Sequence, residues 1–317
     1  MRMKGLLWKC WKNENAIAID LEEEKAGDSL GKDFATGWFI FLLVVIGMLG
    51  MGQTAFATTS LPNGGSVSGA IMTAGEVTPY SFTAEAGEHI EIQVAETSGS
   101  TYFQPLIELY GPGGGDAILT HTGNPVTQMA LTIAETGTYT LLVQDYRGDS
   151  TGEYDIYYVN IPGVDELGPL VNGGVVSNSI VLGDLDTYSF TAEAGEHIEI
   201  QIAETSGSTY FQPLIELYGP GGGDAILAHA GNPVAQMALT IAETGTYTLL
   251  VQDYRGDSTG EYNIYYVNIP RVDEPGPLVN DGVVSNSIVL GDLDTYSFTA
   301  EAGEHIEIQI AETSGST

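Results

Sequence analysis

The chain repeats itself with a period of 108 residues. The stretch from Tyr188 to Pro270, beginning YSFTAEAGEHIEIQIAETSGSTYFQPLIELYGPGGG and ending GTYTLLVQDYRGDSTGEYNIYYVNIP, also runs from Tyr80 to Pro162 and starts a third time at Tyr296. That period is the size of one small domain, so the chain reads as a tandem array of one module. The two complete stretches differ at five positions: Val94/Ile202, Thr120/Ala228, Thr122/Ala230, Thr127/Ala235 and Asp155/Asn263. Exposed and buried types match alike, so recurrence of a residue in both copies says nothing about its role.

Within a module the apolar residues alternate. His89 to Ala95 puts Ile90, Ile92 and Val94 on one face and His89, Glu91 and Gln93 on the other, which reads as a strand with one apolar and one solvated face. Pro105–Tyr110, Met129–Ile133, GTYTLLV (Gly137–Val143) and GEYDIYYV (Gly152–Val159) follow the same period. Weaker strands at Ser66–Met72, Thr78–Ala84 and Ala117–Thr120 bring the number to about eight, the spacing of a sandwich. The breaks between them are rich in glycine, proline and acids, as turns require; GPGGGD (Gly111–Asp116) reads as a hairpin turn and the Arg147–Asp149 and Arg255–Asp257 triplets as tight turns. No helical stripe interrupts this pattern, and the fold class is all-β.

The order DLDTYSF (Asp184–Phe190), AGEHIEIQI (Ala194–Ile202), FQPLIELYGPGG (Phe211–Gly222), ETGTYTLLV (Glu243–Val251) and GEYNIYYV (Gly260–Val267) resembles the bacterial pre-peptidase C-terminal domain. The resemblance covers both complete modules and the opening of the third. It implies tandem jelly-roll-like antiparallel β-sandwiches on secreted proteins, often beside peptidases, non-catalytic and, in collagen-binding relatives, calcium-dependent. The chain departs from the pattern at Gln104 and Gln212, where relatives often carry an acid before the proline, and this weakens a carry-over of metal binding to that strand.

The boundaries that follow are a leader at 1–57, modules at 58–162 and 163–270, and the start of a third at 271–317. Proline and acid-rich joints at Pro162–Leu170 and Pro270–Leu278 suggest semi-rigid linkers and an articulated rod. The third copy supplies only strands at Val283–Leu290, Thr295–Ala300 and His305–Ala311, which are expected to lack the partners they pair with in a complete module. This leads to the expectation that the polypeptide is a piece of a longer array.

Charge narrows the partners. Of nine Lys and Arg, six lie in the leader, as do seven of 42 acids, so residues 58–317 carry 35 acids against three arginines, a net charge of −32. Such a surface repels nucleic acid and anionic lipid and suits extracellular surroundings. Trp38–Met51 is an apolar run of 14 residues followed by Ala55-Phe56-Ala57, which is short for a membrane span and fits a signal peptide cleaved after Ala57. A long acidic leader precedes it, so a signal anchor is the other reading, and contact with a membrane is expected only through residues 38–57 if they stay uncleaved. The one cysteine, Cys10, is in the leader, so the modules hold together without disulfides.

Catalytic machinery is not legible. Beyond the leader there is no cysteine or lysine and no HExxH or GxSxG motif, so the chain reads as non-enzymatic. His89 with Glu91, and His197 with Glu199, are too few for a structural zinc site. The acids are the candidate metal ligands: Asp145, Asp149 and Glu153, their copies Asp253, Asp257 and Glu261, and the DxD pairs Asp184/Asp186 and Asp292/Asp294. Calcium takes six to eight oxygens at flexible geometry, and loops of this kind can supply them. Turn-forming acids on an acidic surface are the alternative. The expected function is a secreted or cell-surface binding or spacer array facing an extracellular protein or polysaccharide; the alternative is the accessory region of an extracellular peptidase.

Overall fold

The computed structural model describes residues 10–13, 16–19, 58–164, 166–269 and 276–314. The expected signal segment lies outside the described residues. In the leader, β1 (Cys10–Asn13) and β2 (Ala16–Ile19) form an antiparallel hairpin with Cys10 opposite Ile19, a unit of its own.

Module 1 contains β3 (Thr59–Ser60), β4 (Gly65–Ile71), β5 (Val77–Ala84), β6 (His89–Gly99), β7 (Pro105–Tyr110), β8 (Leu119–Thr122), β9 (Val126–Thr132), β10 (Gly137–Asp145) and β11 (Gly152–Ile161). Module 2 repeats the last eight as β12 (Gly174–Ile180), β13 (Asp186–Ala192), β14 (His197–Gly207), β15 (Pro213–Tyr218), β16 (Leu227–Ala230), β17 (Val234–Thr240), β18 (Gly245–Asp253) and β19 (Gly260–Ile269). Each module is two antiparallel sheets, ordered β4-β11-β6-β9 and β5-β10-β7-β8 in the first and β12-β19-β14-β17 and β13-β18-β15-β16 in the second. Eight strands divided this way between two sheets have the connectivity of a jelly roll. Parallel pairing enters only at the margin, where β3 lies along β5 and Pro169 bridges Ser189 at the same place in module 2.

The alternation read from sequence is what closes each sandwich. Ile90, Ile92 and Val94 of β6 face inward with Ile107, Leu109, Leu141, Val143 and Ile156, all fully buried, and module 2 does the same with Ile198, Ile200, Ile202, Ile215, Leu217, Leu249 and Val251. Each such isoleucine or leucine stabilises its module by roughly 1.5–3 kcal/mol. Phe82 stacks on Tyr139 at 5.4 Å, and Phe190 on Tyr247 at 5.5 Å. Buried tyrosine hydroxyls find each other, Tyr80 with Tyr154 at 3.0 Å and Tyr188 with Tyr262 at 2.8 Å.

β8 begins at Leu119, two residues later than read, because the ladder opens with Leu109 opposite Leu119 and the glycine loop before it is closed by its own turn bond, Gly114 N–H to Gly111 O at 3.1 Å. The Arg147–Asp149 turn joins β10 to β11, which belong to opposite sheets, so it is a crossing between layers.

The third copy carries no strand within 276–314. Pairing explains this: β12 pairs with β19, β13 with β18, and β14 with β17 and β19, so the first three strands of a module bond only to strands that come later in sequence. Ile306, Ile308 and Ile310 accordingly stay exposed. Turns survive because they are local, as at Asp292 N–H to Val289 O, 3.1 Å.

Candidate functional site: the junction between modules

The two modules meet sheet to sheet. The outer face of β4-β11-β6-β9 receives the outer face of β13-β18-β15-β16, and an apolar cluster of Val159, Ile161, Val164, Leu185, Tyr218 and Leu250 fills the seam. Val164 belongs to the joint expected to act as a linker, so the junction is packed where an articulated link was expected. Four of its residues, Val159, Ile161, Tyr218 and Leu250, come from the outward parity of the strands, where alternation predicts polar groups.

That polar strip is buried too. Gln93 Nε2 donates to Gln252 Oε1 at 2.6 Å, and Gln252 Nε2 donates to Glu216 at 2.8 Å and to Glu91 at 3.2 Å. At the exposed rim Thr132 Oγ1 donates to Asp224 at 2.7 Å, and within the seam the His89 ring lies 4.9 Å from that of Tyr218. The expected solvated face of His89, Glu91 and Gln93 is therefore covered. In module 2 the corresponding His197 and Glu199 do face solvent, 3.7 Å apart.

Two glycines make the approach possible. Gly183 and Gly256 both have positive φ, 74° and 72°, and a Cβ would sit 2.9 Å from the Ala95 Cβ at the first and 2.6 Å from Gln93 Oε1 at the second. Gly183 N–H also donates to Gly256 O at 3.1 Å. The Arg255–Asp257 turn is thus packed on module 1, whereas Gly148, its counterpart, has open space around it.

Carboxylates at this seam hold their protons unusually well. Burial and the neighbouring Glu216 push the Glu91 pKa up to about 8, and burial raises that of Glu216. Both reach the same amide of Gln252, and two negative charges sharing one donor in a partly dry seam disfavour joint ionisation. Inside module 2, away from the seam, Asp186 accepts from Asn178 and Tyr262 and is pushed up to about 7, chiefly by burial, and Asp184 is raised by burial as well. Burial lowers the pKa of His89, against the pull of Asp224.

The candidate calcium ligands are engaged elsewhere. Asp145 accepts the backbone N–H of Gln104 at 3.1 Å, Asp149 at 3.0 Å and Ser150 at 3.1 Å, and Asp253 accepts those of Gln212, Arg255, Asp257 and Ser258. Serine hydroxyls take up the others: Ser150 donates to Asp149, Ser98 to Glu153, Ser258 to Asp257 and Ser206 to Glu261. Asp184 caps Val181 and Leu185, Asp186 accepts from Asn178 and Tyr262, Asp292 accepts Leu293 N–H and Asp294 accepts from Asn286. Among the described residues no three His, Cys, Asp or Glu side chains are grouped to hold a metal ion. As placed, this donor set does not fit calcium, which needs several free oxygens around one point. Millimolar Ca²⁺ and Mg²⁺ are accordingly expected to raise the melting temperature equally, by screening the acidic surface. A clear excess for Ca²⁺ in differential scanning fluorimetry would contradict this.

No family model and no curated protein matches the sequence. Among solved structures, the chain is similar to the pre-peptidase C-terminal domain of a collagenase from Bacillus anthracis, at 18% identity over 33% of this chain and 98% of that one, with a TM-score of 0.28. It is also similar to PliG of Aeromonas hydrophila, a periplasmic lysozyme inhibitor of g-type lysozyme, at 18% identity over 32% of this chain and 93% of that one, TM-score 0.27.

Proposed function

We propose that the chain is a secreted or cell-surface, non-enzymatic repeat protein whose modules, of the pre-peptidase C-terminal type, form a stiff spacer and binding array toward extracellular protein or polysaccharide. The observation that carries this reading is the junction: two nearly identical sandwiches are locked through buried side chains, and the next repeat begins to dock in the same way. Gly291 lies against Ala203 and Tyr265 as Gly183 lies against Ala95 and Tyr157. A chain that hangs its modules on flexible tethers has no use for such a seam, whereas a spacer does, because each packed joint removes a degree of bending.

The charge of −32 beyond the leader and the apolar run ending in Ala55-Phe56-Ala57 support export. The test is accessibility on intact producing cells. An impermeant carboxyl-directed label, or an added protease, is expected to reach modules 1 and 2 on cells or in the medium. Modules protected until the cells are broken would overturn the reading.

A further inference from the structure

Module 1 holds a cavity of about 370 Å³, within the roughly 300–1,000 Å³ of small-ligand pockets, where the end of β3 lies against β5. Its lining comes from both sheets and falls wholly within residues 60–160, so module 1 forms it alone. The exposed rim is polar: Ser60, Asn63, Thr83 and Thr138. Behind the rim lie buried Phe82, Tyr158 and Asn160, the two rings 4.7 Å apart. Two atoms of these buried residues have no hydrogen-bond partner, Tyr158 Oη and Asn160 Oδ1. The Asn160 amide can be oriented only one way, because its Nδ2 donates to Glu88 at 2.7 Å and a carboxylate accepts. Its backbone is fixed as well, N–H donating to Asn63 Oδ1 at 2.7 Å and C=O accepting from Asn63 Nδ2 at 3.0 Å. Oδ1 is thus a held, unused acceptor. Burial, with Glu88 nearby, raises the pKa of Tyr158 and keeps its hydroxyl a donor; Asn160 lies near that hydroxyl but makes no hydrogen bond of ordinary length to it. Buried polar groups without partners are uncommon, and an unused donor and an unused acceptor in one cavity wall point to a ligand that takes both.

We propose that this cavity binds a neutral sugar unit of a polysaccharide, which rests on the reading of the chain as a binding array and names what module 1 takes. The other ligand classes fit poorly. A cation needs carboxylate oxygens and an anion needs positive charge, yet no charged side chain lines the cavity, although residues 58–317 carry 35 acids. An apolar ligand leaves Tyr158 and Asn160 unpaired, which costs stability. A single water, with its share of about 30 Å³, leaves most of the space empty. A peptide finds no exposed apolar residue at the rim to anchor a side chain. A sugar hydroxyl both donates and accepts, so it can take the hydrogen of Tyr158 Oη and give its own to Asn160 Oδ1, while the hydroxyls of Ser60, Thr83 and Thr138 serve the rest of the ring.

Retention of the purified chain on immobilised neutral hexose and N-acetylhexosamine oligosaccharides, beside uronate- and sialate-bearing ones and a set of peptides, tests this. The wild type is expected to be held by neutral oligosaccharides and by neither of the other sets. Tyr158→Phe removes only the unpartnered hydroxyl. It is expected to weaken binding about tenfold, the worth of one hydrogen bond, with a melting temperature unchanged or higher, because the protein loses no bond of its own. Thr138→Arg puts a bulky charge at the exposed rim and is expected to abolish binding with unchanged circular dichroism. No retention on any neutral oligosaccharide, retention on acidic glycans or peptides instead, or variants that bind like the wild type each overturn the proposal. Modules that are labelled on intact cells but hold no sugar would overturn the role of the cavity and leave the array reading standing.

Discussion

Raising the pH from about 6 to about 9 is expected to lower the stability of the docked modules by about 3 kcal/mol, or roughly 10 °C in melting temperature. The sign follows from the direction of the shifts. Glu91, at about 8, Asp186, at about 7, and Glu216 keep a proton in the folded chain above the pH at which the unfolded chain has lost it. Protons bound by the folded state alone stabilise it, and that stabilisation disappears as the pH climbs through the folded pKa values. Glu166 is also raised, to about 7, but it is exposed and screened, and contributes little. His89 acts the other way below about pH 6.5, since burial disfavours its charged form, and offsets part of the carboxyl effect there. Glu91→Gln keeps an amide in the seam and removes one titrating charge. It is expected to flatten the fall between pH 7 and 9, and an unchanged pH profile in calorimetry would show that Glu91 does not ionise in the seam.

Leu250→Arg is expected to separate the modules while leaving both folded. The substitution removes a side chain whose burial is worth roughly 1.5–3 kcal/mol and puts a charge among Val159, Ile161 and Tyr218, where it has no room to reach water. The identical change at Leu142, which occupies the same place in module 1 with solvent beside it, is expected to shift stability by less than about 0.5 kcal/mol. Undocking also re-exposes Glu91 and Glu216, so their share of the pH dependence should vanish in Leu250→Arg and persist in Leu142→Arg, while the share of Asp186, buried inside module 2, stays in both. Equal melting curves for the two variants would mean that the seam contributes nothing.

The sandwiches were legible in the sequence because alternation reports directly which side of a strand is dry. Ile90, Ile92 and Val94 could face only a core, and the all-β class, eight strands per module and most boundaries follow from residues of that kind. The missing partners of the third copy were legible for the same reason. The junction was not, because near-identical copies place one string in two environments. Gln144 and Gln252 have identical neighbours, yet only Gln252 is fully covered, and nothing local distinguishes them. A signal was present in the doublets Leu141-Leu142 and Tyr158-Val159, where an apolar residue breaks the alternation and points outward. In an antiparallel sheet with one wet face, such a residue marks a second surface that is covered. The acidic turns were read as metal ligands or turn formers from composition alone. Asp145 and Asp253 turn out to gather backbone N–H groups, a role that depends on the path of the chain after the strand and that residue spacing does not encode.

The packed junction is tested most directly by comparing one position in its two environments. With Cys10 replaced by serine, Thr140→Cys and Thr248→Cys place single thiols at equivalent points of β10 and β18, the first partly open and the second 3% exposed. Because the flanking sequences are identical, intrinsic reactivity cancels and only the covering module differs. Labelling by a water-soluble maleimide is expected to be at least about tenfold slower at Thr248→Cys, since the reagent must wait for the modules to part. Equal rates at the two positions would contradict the docked arrangement.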